Sequence, residues 1–252
     1  EVIAYLEKLR SICRYLGISD CKLQEGSMRA DVNLSVREAG SETLGVRTEM
    51  KNLNSFKAIA RAIENERERQ IELLEEGRPV VQETRRWDDN KEYSYAMRSK
   101  EDAKDYRYFP DPDLPPVYID EAWLTRTKES LPEMQEEKAD RYVESFGLTR
   151  DDAQLLTDSR NIAVIFEKTV ELGASAKKAA NWLTGETIRL ARDGVMDLDQ
   201  VSFAPEHLAA LIRLSDEGQL NNQNARKVFE AIFKEDVDPE AYMEANGLKT
   251  VM

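Results

Sequence analysis

Arginine and lysine interleaved with short carboxylates are the residues of this chain best suited to chemistry, and one stretch concentrates them. Met28-Arg29-Ala30-Asp31-Val32-Asn33-Leu34-Ser35-Val36-Arg37 is followed, after a short gap, by Arg47-Thr48-Glu49-Met50-Lys51-Asn52-Leu53-Asn54-Ser55-Phe56-Lys57. The first segment alternates strictly, and successive side chains of a strand point to opposite faces. Ala30, Val32, Leu34 and Val36 therefore share one face, and Arg29, Asp31, Asn33, Ser35 and Arg37 the other. Glu38 to Ser41, with Gly40 free to adopt positive φ, reads as a turn. On the return, Leu44, Val46, Thr48 and Met50 take one face and Arg47, Glu49 and Lys51 the opposite one. Paired, the two strands present arginines, a lysine, two carboxylates, an amide and a hydroxyl on one surface. Carboxylates suit magnesium, and cations beside them suit phosphate. A half-buried hairpin with a merely wet outer face has the same alternation, so the pattern alone leaves both readings open.

The elements that must position this surface follow from periodicity and punctuation. Val2, Ile3, Leu6, Leu9, Ile12 and Cys13 predict a helix over 1–16, stopped by Gly17. After the hairpin, Asn54 or Ser55 is the N-cap of a second helix. Its buried stripe is predicted as Phe56, Ile59, Ala60, Ile63, Gln70, Ile71 and Leu74, and Gly77 ends it. The sign-alternating Glu64 to Arg69 reads as a solvated face. The helix start offers backbone N–H groups beside the polar surface, a natural anion site, and equally a simple cap. Pro79 to Trp87 and Lys91 to Met97 predict two more strands around Asp88-Asp89-Asn90. Tyr93 and Tyr95 share a face, read as sheet core, with base stacking as the functional alternative. The prolines of Pro110 to Pro116 enforce an extended run, and Val117-Tyr118-Ile119 is the expected last strand.

From Asp120 onward only helices are predicted, at about 120–128, 132–145, 150–157, 160–172, 176–193, 205–215, 222–234 and 239–245. Gly147, Gly173 and Gly194 are stops. Thr149 with Asp152, and Asp238-Pro239, are starts. Trp182 and Leu183 read as core. The fold class is thus α+β, an antiparallel sheet domain at 1–119, an all-α domain at 120–197, and a small partial helical tail at 198–252.

The net charge of −13 argues against a bulk electrostatic binder of nucleic acid. Its distribution is uneven, with −3 over residues 1–119 and −10 over the rest. Residues 27–61 carry six basic and four acidic groups, so any RNA contact is expected to be local to the first half. Cys13 and Cys21 lack metal-binding spacing and read as reduced thiols of a cytoplasmic protein. With His207 the single histidine, no histidine cluster or Ser-His-Asp triad can be built within the chain. No apolar run approaches a membrane span, and no signal peptide is visible.

Three separated segments carry a family resemblance: Met28 to Asn33, Arg47 to Ser55, and Asp105-Tyr106-Arg107-Tyr108-Phe109-Pro110-Asp111-Pro112-Asp113-Leu114-Pro115-Pro116. In this order and spacing the chain resembles the GatB subunit of the tRNA-dependent aspartyl/glutamyl amidotransferase, more loosely after about residue 120. The resemblance implies a cradle-like catalytic domain followed by helical and tail domains that grip the body of the tRNA. It implies a ligase that converts Glu-tRNA(Gln), or Asp-tRNA(Asn), by ATP- and Mg2+-dependent phosphorylation of the side-chain carboxylate. Ammonia from a partner glutamine amidase subunit then displaces the phosphate, in a complex that includes a third, small subunit.

Carried over by position, the resemblance makes Glu49 the foremost magnesium ligand and Asp31 the second, with an alternative role toward ammonia. Arg47, Lys51, Asn52 and Asn54 become candidates for nucleotide or phosphate contact, with Ser55 at the adjoining helix start. Arg29 and Arg37 are candidates for the substrate carboxylate or the tRNA end. Tyr106 and Arg107 match the third segment without an assigned role. The chain starts at Glu1, whereas the family has a substantial upstream region and a longer tail. It is therefore expected to be a fragment that cannot complete the reaction alone. Two rival readings remain at this level. One is a non-catalytic tRNA-binding or scaffold protein, in which Asp31 and Glu49 tolerate amides. The other is a helical protein-interaction module carried on an incidental sheet.

Overall fold

A computed structural model describes residues 1–99 and 109–250 of the chain. It divides into two compact units, Glu1–Leu131 and Pro132–Met252. Tyr106, Arg107 and the start of the third resemblance segment lie outside the described residues.

The first unit is α+β. Helix α1 (Val2–Leu16) ends at Gly17, whose φ of 70° is the left-handed cap the sequence predicts. Strands β1 (Val32–Leu34), β2 (Thr48–Lys51), β3 (Glu83–Asp88) and β4 (Tyr93–Ser99) form one sheet in the order β1-β2-β3-β4. β1–β2 and β3–β4 are antiparallel, as expected, but β2–β3 are parallel, so the sheet is mixed. The reason is the long helix α2 (Phe56–Glu75) between β2 and β3: a parallel pair needs such a crossover.

β1 and β2 are shorter than the alternation predicts. At Gly45 the chain passes so close to Val36 that a Cβ would lie 2.0 Å from the Val36 carbonyl oxygen. Leu44 and Val46, expected beside Thr48 and Met50 on the buried face, are exposed. Val117, Tyr118 and Ile119 form no strand and are exposed as well. They directly follow two prolines, which remove backbone donors, and helix α3 (Glu121–Glu129) after them buries no residue.

α2 packs on the sheet through Ala58, Ile59 and Ala62, which join Leu6, Met50, Leu53 and Trp87 in an apolar cluster. Its inward stripe differs from the predicted one. Gln70 is fully buried as predicted, but so is Glu66, which the sequence places on a solvated face, whereas Leu74 is exposed. The two small alanines let the helix come close, and polar groups take over where the apolar cluster ends.

The second unit is helical: α4 (Gln135–Phe146), α5 (Arg150–Thr157), α6 (Arg160–Glu171), α7 (Ala176–Asn181), α8 (Ile188–Asp193), α9 (Pro205–Asp216), α10 (Asn222–Glu235) and α11 (Pro239–Ala245). The helix predicted at 176–193 is α7 and α8 joined through a π-helical turn over Trp182–Thr187. Thr149 and Asp238 cap as predicted, accepting from the N–H groups of Asp152 (3.1 Å) and Ala241 (2.8 Å). Leu183 is buried, and Trp182 packs on Phe229 with ring centroids 4.9 Å apart. Helices on both sides of residue 197 contribute to a single apolar core. Among the described residues no helix is long and apolar enough to cross a membrane.

Candidate functional site

The open face of the sheet holds the predicted constellation. In the β1–β2 ladder Asn33 lies opposite Glu49, which continues to Asp31 beside Lys51. The Lys51 ammonium stands between the two carboxylates, 3.1 Å from Asp31 Oδ2 and 3.3 Å from Glu49 Oε1. The bond to Asp31, and behind it that to Glu49, push the ammonium above the ordinary lysine range, against the opposing effect of partial burial. Lys51 is therefore a fixed cation. The carboxylates differ in setting: the Asp31 side chain is 52% exposed and Glu49 only 20%. The Thr84 hydroxyl, from the parallel neighbour β3, donates to Glu49 Oε2 at 3.0 Å. Arg47, Glu49, Gln82, Glu83 and Thr84 line a small cleft at this edge.

The remaining predicted residues divide into groups. Arg47 is exposed and has no hydrogen bond or ion pair among the described residues, which suits an anion in solution. Asn52 has a φ of 67°, a backbone state that asparagine tolerates better than most residues, and its side chain donates to the Trp87 carbonyl at 2.9 Å. It ties the end of β2 to β3. Of the two N-cap candidates Ser55 is the cap, accepting from the Ala58 N–H at 3.0 Å, and Asn54 is exposed beside it. Arg29 and Arg37 fall outside β1. Arg37 donates to the Glu42 carbonyl at 3.3 Å, and among the described residues neither arginine bonds to Asp31, Glu49 or Lys51.

Some neighbours of the site are not apparent from sequence. Arg86 aligns with Lys51 on one side and Tyr95 on the other, and it too lacks a partner among the described residues. Tyr93 and Tyr95, read from the sequence as core, are 52% and 41% exposed. The signal for Thr84 and Arg86 is present in their alternation with Arg85 and Trp87. Their pairing with β2 is not, because a parallel register is set across a long crossover.

Residues 1–125, which include every residue of this constellation, match the GatB/GatE catalytic domain family, and residues 164–252 match the GatB domain. The chain is 59% identical to the GatB subunit of the aspartyl/glutamyl-tRNA(Asn/Gln) amidotransferase of Agathobacter rectalis, with 100% of this chain and 53% of that protein covered. To the proteins of the same name from Caldicellulosiruptor bescii and Chlorobaculum tepidum it is 48% and 46% identical, over 98% and 100% of this chain and 52% and 53% of theirs. The chain belongs to the GatB family. It spans about half the length of the curated relatives it matches.

For a GatB-family chain, the fit of these residues to magnesium can be tested on the geometry. Among the described residues no three carboxylate, cysteine or histidine side chains converge as a metal cage. Magnesium bound with nucleotide commonly takes only one or two carboxylates, the rest of its shell being water and phosphate. Glu49 and Asp31 are carboxylates of that number on one open face, with the Lys51 ammonium bonded to both.

Proposed function

We propose that this chain is part of a tRNA-dependent amidotransferase that activates the side-chain carboxylate of Glu-tRNA(Gln) or Asp-tRNA(Asn) and replaces its hydroxyl-equivalent oxygen with nitrogen. The observation that carries the reading is the Lys51 ammonium held between Asp31 and Glu49 on an open sheet face, with Arg47, unpaired among the described residues, on the same strand side. The relatives' names supply the substrate class.

In the proposed sequence a carboxylate oxygen of the aminoacyl group attacks the γ-phosphorus of ATP and ADP leaves. Ammonia then attacks the acyl carbon and inorganic phosphate leaves. Phosphoryl transfer of this kind needs positioning and charge rather than a protein nucleophile. Lys51 and Arg47 supply positive charge toward the transferring phosphate. Glu49, steadied by Thr84, and Asp31 would hold Mg2+, which when bound neutralises phosphate charge. A glutamine-hydrolysing amidase partner as ammonia source and a small third partner complete the proposed assembly in the cytoplasm.

The test uses the full-length protein in its complex. Glu49→Gln is assayed for amidated tRNA with ammonium salt in place of glutamine, at saturating ATP and magnesium. Loss of both product and tRNA-dependent ATP cleavage, with tRNA binding retained, supports the reading. Survival of both to within about fivefold sinks it. Arg47 and Arg86, both exposed on the open sheet face and unpaired among the described residues, also suit a second reading, a non-catalytic tRNA-docking face. That reading expects Glu49→Gln to be silent in turnover.

A further inference from the structure

Beneath the constellation, on the opposite face of the same strands, lies a buried polar layer that the proposed chemistry does not use. Glu66 of α2 is its centre and is fully buried. Its Oε1 accepts from the Thr48 hydroxyl at 2.7 Å, the Gln70 amide at 2.8 Å and Arg69 Nη2 at 2.7 Å, and its Oε2 accepts from Arg69 Nε at 2.9 Å. Arg85 Nε lies 3.4 Å from Oε2 and donates to the Ser94 hydroxyl at 2.9 Å. One carboxylate is thus linked to β2 directly, to β3 through Arg85, and to β4 through Ser94.

Gln70 completes the set at β1. Its amide nitrogen donates to the Leu34 carbonyl at 3.2 Å, and its oxygen accepts from the Val36 N–H at 3.0 Å. The carboxamide stands where a neighbouring strand would continue the ladder. β1 has only three residues, a short ladder for fixing register. A slip of one residue would turn every side chain to the other face. Asp31 would then no longer meet Lys51 and Glu49, which share β2.

Stability alone does not account for this layer, because well-packed apolar side chains do as well as a buried ionic set, or better. Hydrogen bonds differ in being directional, so a satisfied network fixes one arrangement. We propose that Glu66, acting through Thr48 and Gln70, is the positioning residue that locks the β1–β2 register and so places the Asp31–Lys51–Glu49 group for phosphoryl transfer. The proposal rests on the reading that Glu49 and Lys51 serve that reaction.

Full-length complexes carrying Thr48→Val, Glu66→Gln, both changes, or Glu49→Gln are compared in the ammonium-supported reaction, well below each variant's melting temperature. Rates are expressed per molecule competent to bind tRNA. The expected result is a fall in kcat of about tenfold or more for Thr48→Val and for Glu66→Gln, since small misplacements are costly in rate. KM for ATP and for tRNA stays within about threefold, and the double variant is no slower than the poorer single one. A purely structural layer would lower the melting temperature and leave kcat per competent molecule within about twofold, which overturns the proposal. If Glu66→Gln does not fold, Thr48→Val decides, because it keeps the shape and strand preference of the residue it replaces. An active Glu49→Gln would remove the functional reading itself. An inactive Glu49→Gln beside an unaffected Thr48→Val would remove only the positioning role.

Discussion

The two units solve the problem of a packed interior with different materials. The helical unit buries a broad apolar set, with Tyr142, Phe146 and Phe166 in mutual ring contact and Leu183, Leu208, Leu211 and Phe229 fully enclosed. The sheet unit has a small apolar cluster and then fills the rest of the α2–sheet interface with Thr48, Glu66, Gln70, Arg85 and Ser94. Apolar packing is strong and tolerant of small rearrangement. A buried ionic network is demanding, since each partner removed leaves others unsatisfied. The difference follows the location of the candidate chemistry, which lies on the sheet whose register must be unique.

The sharpest way to break the comparison is to damage each interior by its own weak point. Phe166 has ring neighbours at 4.8 and 5.4 Å, and Phe166→Ala is expected to cost the helical unit about 3–5 kcal/mol through lost burial and a cavity. Glu66→Ala removes little apolar area, yet it takes the carboxylate from Arg69 and from the Thr48 hydroxyl and leaves Arg85 with Glu83 and Ser94 alone. A cost of about 2–3 kcal/mol is expected, because Arg69 loses its closest partner inside the interface. Denaturant unfolding of both variants checks this. If Glu66→Ala costs under about 1 kcal/mol, the layer is wet or adaptable and the contrast between the units fails.

How much of this is legible in the sequence depends on whether the determining contacts are local. The helical unit is legible nearly to the residue, because its information is local. α5 and α11 coincide with the predicted spans, and the Thr149 and Asp238 caps act within three residues of themselves. In the sheet unit the alternation of Asp31, Glu49 and Lys51 locates the polar face correctly. The ends of the strands are hidden, because Gly45 meets Val36 and Gln70 meets Leu34 across distant segments. Glu66 is concealed by its neighbours: Glu64, Arg67 and Glu68 make the run look solvated, and only its place four residues after Ala62 puts it inward. Tyr93 and Tyr95 mislead toward a core assignment because aromatic alternation signals a face without telling which face is covered.

Electrostatics in the helical unit offers a smaller, sign-specific test. Arg141 and then Lys138 bond to Glu133 and hold its carboxyl at about 2, while burial opposes them. Its folded value lies below the unfolded one. Ionised Glu133 therefore stabilises the fold above the ordinary carboxylate range, and that contribution is lost as pH falls from there toward about 2. With the side chain 30% exposed, about 1–2 kcal/mol is expected. Glu133→Gln should flatten that part of the stability–pH curve, measured by denaturant unfolding between about pH 5 and about pH 2.5. An unchanged curve would show that the network around Arg141 is not coupled to folding.

The finest distinction separates residues that build the sheet unit from those offered to a ligand, and adjacent Asn54 and Ser55 provide it. Ser55 caps α2 through the Ala58 N–H, so Ser55→Ala should cost about 1 kcal/mol wherever it is measured. Asn54 is exposed and makes no hydrogen bond among the described residues, so Asn54→Ala should change stability by less than about 0.5 kcal/mol. The same holds for Arg47, exposed on the open face and unpaired among the described residues. A turnover defect in Ser55→Ala could arise from a loosened helix start, whereas a defect in Asn54→Ala or Arg47→Ala, at unchanged melting temperature, must come from a lost contact with substrate or nucleotide. If all three variants lose turnover only in proportion to stability, the polar face is a surface held in register for some other purpose. If Asn54→Ala and Arg47→Ala raise the KM for ATP without a shift in melting, the helix start and the open strand face belong to one phosphate-binding site.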